Sequence, residues 1–466
     1  MKKLIGLLAL CFIACIAPLY SQSFGRGDVF DKKIYEQLPQ KARQVSRAYQ
    51  SLPPRISLKQ YAPEVRSQGA YGTCVGWSTA YAARTIAESI ALNRTSAAQT
   101  TDNAFSPVFA YKSISDDPTC QNGIYIHLVL ELMKTEGAAK IHAIEKTTDF
   151  ADVPLALFST QRKFTIADFS TLISYSDDIS VSNVDAVKKS LVEKKPVIVS
   201  LKCPASFNAA KDVWAPQEAP KEGEGAHAMC IVGYDDEIAG GSFELLNSWG
   251  ADWGNEGYIW VSYSTFIKFV NGAYEISDNI ANYGKANQFS GNVKIALYTQ
   301  KDMRVSYKNA YYETADSYPA GTRFRYLMSN NESAYVYAFA ADDSLNPATP
   351  VFPDNDTNRG LKVSPLLDYT ENTVVFPGER KWIQLDDTSG TDYLVVLYAK
   401  EALDIDAIRK RFDRTSGSFP EKVAEAVGTN FIPFSKAAYS PNEMNFKAES
   451  ANMKAVFALL LAIKHG

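Results

Sequence analysis

One short stretch combines the residue types that nucleophilic chemistry at a sulfur atom requires. Residues 67–81 read Ser-Gln-Gly-Ala-Tyr-Gly-Thr-Cys-Val-Gly-Trp-Ser-Thr-Ala-Tyr. Gly69 and Gly72 permit a tight turn, Thr73 is a favourable N-cap, and apolar residues then recur at helical spacing. The pattern predicts Cys74 in the first turn of a helix. The unpaired N–H groups and the macrodipole there favour a thiolate, which is the nucleophilic form of cysteine.

An amide side chain lies six positions before this cysteine. Gln68 would lie across the turn from Cys74, and its amide can donate a hydrogen bond to an oxyanion that forms beside the sulfur. A cysteine after glycines is equally compatible with a small buried apolar side chain, the common role of free cysteine. Catalysis therefore requires a base and a group that orients it.

Histidine is the usual acid–base residue, and the chain has four: His127, His142, His227 and His465. We interpret His127, within a predicted helix, as a packing or surface residue and His142 as structural, and His465 is next to the last residue of the sequence. His227 follows a glycine-containing segment and begins an apolar run, which places it at the edge of a strand. Twenty residues later, Asn247 ends another predicted strand, and its side-chain oxygen can accept an imidazole N–H without adding charge. Taken alone, Asn247 also fits a turn. Trp249 beside it can keep water away from that hydrogen bond.

Together these residues resemble the catalytic set of the papain-like cysteine peptidases. Gln68, Cys74, His227 and Asn247 occur in the family's order, and Trp249 lies in its Asn-Ser-Trp-Gly motif. The resemblance implies Cys74 as the nucleophile, His227 as the base and Asn247 as its orienting residue, with Gln68 at the oxyanion. It also implies a protein or peptide substrate, hydrolysis through an acyl-enzyme, and no metal or organic cofactor.

The same resemblance, which covers about residues 52–275, implies where a substrate would bind. Gly123 would pair its backbone with the substrate. Ser200 and Ala228 would lie near the pocket for the second residue before the cut, and because both are small a sizeable apolar side chain would fit there. Trp249, which shields the catalytic hydrogen bond, is grouped with these substrate-binding residues.

The sequence departs from the family at one disulfide. The family usually has a cysteine where Tyr71 stands, bonded to the counterpart of Cys120, so we expect this disulfide to be absent. We expect Cys120, Cys203 and Cys230 to be buried apolar side chains.

The chain begins like an exported protein. Basic residues at positions 2 and 3 precede an apolar run at 4–17, and residues 1–21 are predicted to be a signal peptide. The apolar run is too short to span a membrane. In an alternative interpretation, Cys15 is the lipidated residue of a lipoprotein. The expected location is periplasmic, outer-membrane-associated or extracellular.

Length and charge bound the architecture and the partners. The net charge of −4 suggests neither nucleic-acid binding nor an electrostatic membrane anchor. A chain of 466 residues is expected to form two or three domains. Residues 22–51, partly helix-like from Lys32 to Ser51, form a short pro-segment or an N-terminal helix. Residues 52–288 form the peptidase-like domain, and residues 292–466 form a β-rich domain of unknown function.

The element pattern predicts an α+β fold. Helices are predicted at 106–114, 123–137 and 182–194, the last capped by Ser182 or Asn183. Strands are predicted at 197–201, 227–234, 242–246 and 257–262. Helices followed by strands favour a segregated sheet over alternating βαβ units. With the resemblance, this predicts a two-lobed domain, a helical lobe followed by an antiparallel β lobe.

The C-terminal region has the short, evenly spaced strands of an all-β sandwich-like domain. Strands are predicted at 304–312, 323–328, 334–341, 382–385, 393–399 and 455–463, with one helix near 405–412 or 421–426. Segments 334–339, 351–353 and 391–398 resemble an uncharacterised β-rich domain appended to bacterial caspase-like and papain-like peptidases. The sequence of this region shows no catalytic cluster, so we expect it to bind or position a partner, for example at the cell surface.

Two alternatives to an exported cysteine endopeptidase stay open. One is a non-catalytic papain-like scaffold whose β-domain binds a protein or cell-surface partner, and the complete set of four catalytic residues argues against it. The other is a cysteine acyltransferase, which would pass the acyl group to an amine. The peptidase interpretation requires sulfur and imidazole to meet across a cleft, with the sulfur open to solvent.

Overall fold

A computed structural model describes residues 24–44, 52–175, 180–279, 287–354, 362–369 and 372–466. The predicted signal peptide and the lipidation prediction at Cys15 lie outside these ranges. Within the described ranges, no helix is long and apolar enough to cross a lipid bilayer.

Helices dominate the chain from Lys59 to Thr135. A continuous helical run begins at Cys74 and comprises Cys74–Gly76, a π-helical segment Trp77–Arg84, and Thr85–Ala91. Further helices are Ala97–Asp102, Pro107–Lys112 and Ile126–Thr135, so the helices predicted at 106–114 and 123–137 are confirmed with shorter bounds. Thr73 is the N-cap residue of this run, as predicted, but its hydroxyl makes no capping hydrogen bond.

The later half of this domain is an antiparallel sheet. Its central strands, in spatial order, are Ile166–Thr171, Val270–Asp278, Val197–Lys202, Ala226–Asp235, Ser242–Leu246 and Tyr258–Ser262. The four predicted strands are confirmed, and the first two in this order were not predicted. The helix Ser180–Val192 starts earlier than predicted. Neither Ser182 nor Asn183 is its N-cap, because both lie inside the helix, where the Asn183 side chain instead bonds the backbone of Ser174.

The C-terminal region folds as two packed sheets. One contains Asn287–Leu297, Arg323–Asn330, Asn372–Phe376, Ile383–Gln384, Ala437–Tyr439 and Asn445–Ser450. The other contains Val305–Lys308, Tyr311–Thr314, Ala334–Ala341, Thr349–Phe352, Leu366–Leu367, Gly390–Ala399 and Val456–His465. Buried residues of both sheets, such as Val293 and Leu461, share one core. The fold is therefore α+β with a β-rich C-terminal region, as predicted.

Two details of this region differ from the prediction. The segment predicted as one strand at 304–312 is a hairpin of Val305–Lys308 and Tyr311–Thr314. Both alternatives for a single helix are helical, as Ile405–Arg414 and Phe419–Val427, and the two pack on the outer face of the second sheet. The strand predicted at 455–463 is confirmed as Val456–His465.

The N-terminal segment joins the two regions. It forms a short strand Asp28–Val29, a helix Lys32–Gln37 and a short strand Pro39–Gln40. The helix predicted from Lys32 ends at Gln37, and residues 38–44 are not helical, whereas the predicted part at 45–51 lies outside the described residues. The residue before a proline is driven out of the helical conformation, and Leu38 is accordingly extended. The strand Pro39–Gln40 lies between Ile166–Thr171 and Lys362–Val363, so one sheet passes from one region into the other.

Candidate active site

Two neighbouring strands bring the predicted base and its orienting residue together. His227 lies on Ala226–Asp235, and Asn247 directly follows Ser242–Leu246, its antiparallel neighbour. The His227 Nε2 and the Asn247 Oδ1 are 2.7 Å apart. The Trp249 ring stacks on the imidazole with 4.5 Å between ring centroids. Among the described residues, the Nδ1 of His227 has no hydrogen-bond partner although it is buried, so it is free to exchange a proton.

The helical lobe brings the predicted nucleophile to the same place. Cys74 is the first residue of its helical run, and its sulfur lies near the backbone N–H of Ala228, the residue that follows His227. The first turn of the helical run that begins at Cys74 therefore meets the strand Ala226–Asp235 at a cleft between the two lobes. The Cys74 sulfur thus lies beside the strand that carries His227, and the Asn247 carboxamide bonds that imidazole from the neighbouring strand.

Gln68 also reaches this cleft. Its amide Nε2 donates to the carbonyl oxygens of Tyr71, at 2.7 Å, and Gly25, at 3.1 Å. Its Oε1 accepts a hydrogen bond of 2.6 Å from the Ser248 hydroxyl, which fixes which end of the amide faces the cleft. Sequence reasoning quoted Ser248 only as part of a motif and missed this positioning contact, although a hydroxyl between Asn247 and the tryptophan was visible in the sequence.

Comparison with known proteins identifies the domain that holds this cleft. A family model described as the papain family cysteine protease matches residues 52–281. Residues 52–281 belong to the papain family. The papain-family domain is therefore α+β with the fold that the sequence predicted.

Individual relatives are distant. The P34 probable thiol protease of Glycine max is 31% identical over 112 residues, 22% of this chain, and the chain spans only 27% of that protein's length. Xylellain, a cysteine protease from Xylella fastidiosa, is 20% identical with a TM-score of 0.41, covering 55% of this chain and 96% of its own. The digestive procathepsin L 3 of Tenebrio molitor is 16% identical with a TM-score of 0.39, covering 53% and 79%.

The N-terminal segment lies across the cleft of the papain-family domain. The Gly27 N–H donates to the Cys74 sulfur at 3.2 Å, and the Gly27 carbonyl accepts from the Ile124 N–H at 2.9 Å. The Gly25 carbonyl accepts from Gln68 and from the indole N–H of Trp249, at 3.1 Å each. We call residues 24–29 the cover segment.

Two glycines make this close approach possible. A Cβ added to Gly25 would lie 1.8 Å from the Tyr71 carbonyl oxygen, and one added to Gly27 would lie 1.8 Å from the Gly72 carbonyl oxygen. Any side chain at either position would therefore collide with the backbone loop that precedes Cys74.

The cover segment changes the chemistry of the site. Cys74 is fully buried, so the requirement that solvent reach the sulfur is not met in this state. Burial, with a smaller contribution from the nearby Asp28 charge, raises the pKa of the thiol to about 12. Burial likewise lowers the pKa of His227 to about 3, against the opposing effect of the Asn247 hydrogen bond. Both shifts favour the uncharged thiol and the uncharged imidazole while the cover segment is in place, which opposes the expected thiolate.

The predicted substrate-binding residues border the same segment. Ser200 and Ala228 face each other on paired strands, and the Asp28 carboxyl lies beside the Ser200 hydroxyl. Burial raises the pKa of Asp28 to about 7, and the hydroxyl opposes the rise. A Cβ on Gly123 would lie 2.8 Å from the Gly27 carbonyl oxygen. The roles of these residues in binding a substrate stay predictions.

The other cysteines of this domain are packed in its interior. Cys120, Cys203 and Cys230 are buried and free, as predicted. The Tyr71 hydroxyl, at the position of the missing disulfide, donates instead to the Asp149 carboxylate. Within the described ranges, no group of three His, Cys, Asp or Glu side chains is arranged to hold a metal ion.

Proposed function

We propose that this chain is an exported cysteine endopeptidase that hydrolyses peptide bonds through an acyl-enzyme on Cys74. The Cys74 thiol transfers its proton to His227, and the sulfur attacks a peptide carbonyl to form the S–C bond. The imidazolium then gives its proton to the leaving amine as the C–N bond breaks. Water, activated by His227, hydrolyses the thioester and regenerates the thiol. Export is proposed from the N-terminal sequence.

Three further groups have defined tasks in this scheme. The Gln68 amide and the Cys74 backbone N–H hold the oxyanion, where preorganised donors stabilise the charge that develops. Asn247 fixes the ring of His227 so that Nδ1 faces the sulfur. Because its carboxamide is neutral, it orients the ring without adding charge beside the imidazolium.

One observation supports a peptide as the substrate class. An extended peptide, the cover segment, already lies in the cleft, and the Gln68 amide donates to one of its carbonyl oxygens at 3.1 Å. The donor proposed for the oxyanion thus engages a peptide carbonyl near the sulfur. The backbone next to Gly123 pairs with the same segment, as Asp28 opposite Ile124.

The cover segment also defines the resting state in this proposal. Gly27 donates to the sulfur that must attack, and Gly25 occupies the amide that must hold the oxyanion. No substrate carbonyl can reach Cys74 until residues 24–29 leave. We therefore propose that the full chain is held inactive by its own N-terminal segment.

The test is labelling with a thiol-directed epoxide in an opened variant, Gly27→Ala, in which the added methyl group expels the cover segment. We expect label on Cys74 and cleavage of a denatured protein substrate by the opened variant. The same chain with Cys74→Ala should take no label, and with His227→Ala it should label at a small fraction of the rate. Equal labelling of the His227→Ala chain, or an opened variant that labels but cleaves no peptide, would overturn the proposal.

A further inference from the structure

Residues 39–44 are a strand-like link with a domain on either side. Gln40 pairs with Thr171 of the papain-family domain and, on its other edge, with Val363 of the C-terminal region. The Lys41 N–H donates to the Thr171 carbonyl at 2.9 Å, and the Ser364 N–H donates to the Gln40 carbonyl at 2.7 Å. Backbone hydrogen bonds therefore form on both edges of this link. We call residues 39–44 the strap.

Buried charges fix the strap at the same place. The Lys41 ammonium contacts the Glu275 carboxylate of the papain-family domain, at 2.6 Å, and the Asp368 carboxylate of the C-terminal region. Lys195 contacts both carboxylates as well. Burial alone would raise the pKa of Asp368, but attraction to Lys195 and Lys41 outweighs it and lowers the pKa. The two lysines and two carboxylates compensate one another, so removing the strap would leave buried charge without its partner.

The next strap residue enters the C-terminal core. Ala42 is 4% exposed and belongs to the hydrophobic core between the two C-terminal sheets. Arg43, its neighbour, is exposed. The C-terminal region therefore holds the strap by backbone pairing, by the Asp368 charge and by apolar packing.

A buried tyrosine connects the strap to the cover segment. Tyr35 lies on the helix between them and is 2% exposed. Its hydroxyl donates to the Ala273 carbonyl at 2.9 Å and accepts from the Ile173 N–H at 3.1 Å. The cover segment, Tyr35 and the strap are thus three points at which one short stretch of chain is bound. When one of these points is bound, the effective concentration of the other two at their sites is raised, so the strap keeps the cover segment near the cleft.

We propose that the C-terminal domain is the docking partner of the N-terminal segment. It binds the strap against the papain-family domain, so that the cover segment stays in the cleft after the chain is cut. This rests on the proposed function only where it treats the cover segment as a block. A cut between residues 44 and 52 is then insufficient for activation. Release requires the strap to leave the joint between the domains.

The experiment separates retention from activity by using the full chain with Cys74→Ala. A recognition sequence for a site-specific protease replaces residues 45–51, and the chain is cut and passed over a size-exclusion column. We expect the N-terminal fragment to elute together with the larger fragment, which contains the papain-family domain and the C-terminal region. Ala42→Glu, which would bury a carboxylate in an apolar core, should speed release of the fragment by at least about tenfold. Arg43→Glu introduces the same group on the exposed side and should leave retention unchanged.

A second variant covers the case in which Ala42→Glu prevents folding. Asp368→Asn removes the C-terminal charge that contacts Lys41 and should also speed release. The proposal would be overturned if the N-terminal fragment were lost upon cutting of the chain without further substitutions. It would also be overturned if the Asp368→Asn and Arg43→Glu chains retained the fragment equally. In the chain that retains Cys74, cutting alone should leave epoxide labelling slow. Fast labelling with the fragment still bound would instead refute the blocking role and leave the docking role intact.

Discussion

The substitution Gly27→Ala should convert the covered site into a reactive one. The added Cβ would lie 1.8 Å from the Gly72 carbonyl oxygen, and real Cβ atoms essentially never approach within 3.0 Å. The cover segment must therefore move by at least about 1 Å, and overpacking of this kind costs about 1–3 kcal/mol. The movement also weakens hydrogen bonds from Gly27 to the Cys74 sulfur and from Ile124 to Gly27, at about 1 kcal/mol each.

Together these effects destabilise the covered state by about 3–5 kcal/mol, which corresponds to roughly a 150- to 5,000-fold increase in the open fraction. The assay is the initial rate of epoxide labelling at pH 7, with the modified residue located by peptide mass. Background should be low because Cys120, Cys203 and Cys230 are buried. Gly225→Ala is the matched control, since its Cβ would meet only the Arg26 side chain, at 3.9 Å.

Two results would refute this reasoning. One is a wild-type chain that labels as fast as the Gly27→Ala chain, which would mean that the cover segment does not protect the sulfur. The other is a Gly225→Ala chain that accelerates labelling as much as Gly27→Ala, which would mean that the collision with the loop is not the cause.

Three further outcomes are expected. At pH 8, the wild-type chain should be labelled up to about 1,000-fold faster than the Asp28→Asn chain. Burial raises the pKa of Asp28 from 3.8 to about 7, so ionisation of this carboxyl destabilises the covered state. The ratio of the two labelling rates should fall toward one below pH 3.8, and a ratio that does not change with pH would exclude this role. Asn247→Ala in the opened variant should lower kcat/KM roughly 10- to 150-fold through the lost 2.7 Å hydrogen bond to His227; an unchanged value in peptide hydrolysis would remove its orienting role. Tyr369→Phe should lower the free energy of unfolding in urea by about 1–3 kcal/mol, because the hydroxyl donates to buried Glu275; an unchanged urea midpoint would contradict this.

The sequence located the candidate site because each of its residues adjoins an element with a strong local signal. Cys74 follows a glycine-rich turn and starts a helix, whereas His227 and Asn247 lie at the ends of β-branched or apolar strands. Such signals need only a few neighbouring residues. The convergence of the three residues then followed from the resemblance to a family, since spacing alone does not reveal which strands pair.

The cover segment and the strap could not be predicted in the same way. Asp28–Val29 and Pro39–Gln40 are strands of two residues, too short for any hydrophobic periodicity. The strap pairs with residues more than 130 and more than 320 positions away, such as Thr171 and Val363.

The expected thiolate is opposed by the burial of Cys74 for a related reason. A helix N-terminus is a local property, whereas burial of Cys74 depends on which distant segment covers it. Thr73 was a similar local prediction, and its buried hydroxyl turned out to make no capping bond.

The strap has a practical consequence for anyone who trims this protein. A recombinant chain that starts at residue 52 would expose two strand edges at once, one at Thr171 and one at Val363. Exposed edge strands have unpaired backbone groups and pair with strands of other molecules. It would also lack the Lys41 ammonium between two acidic groups. We expect such a truncated product to unfold at a lower urea concentration than the full chain and to self-associate as its concentration rises, and a synthetic peptide spanning residues 24–44 to reverse both effects.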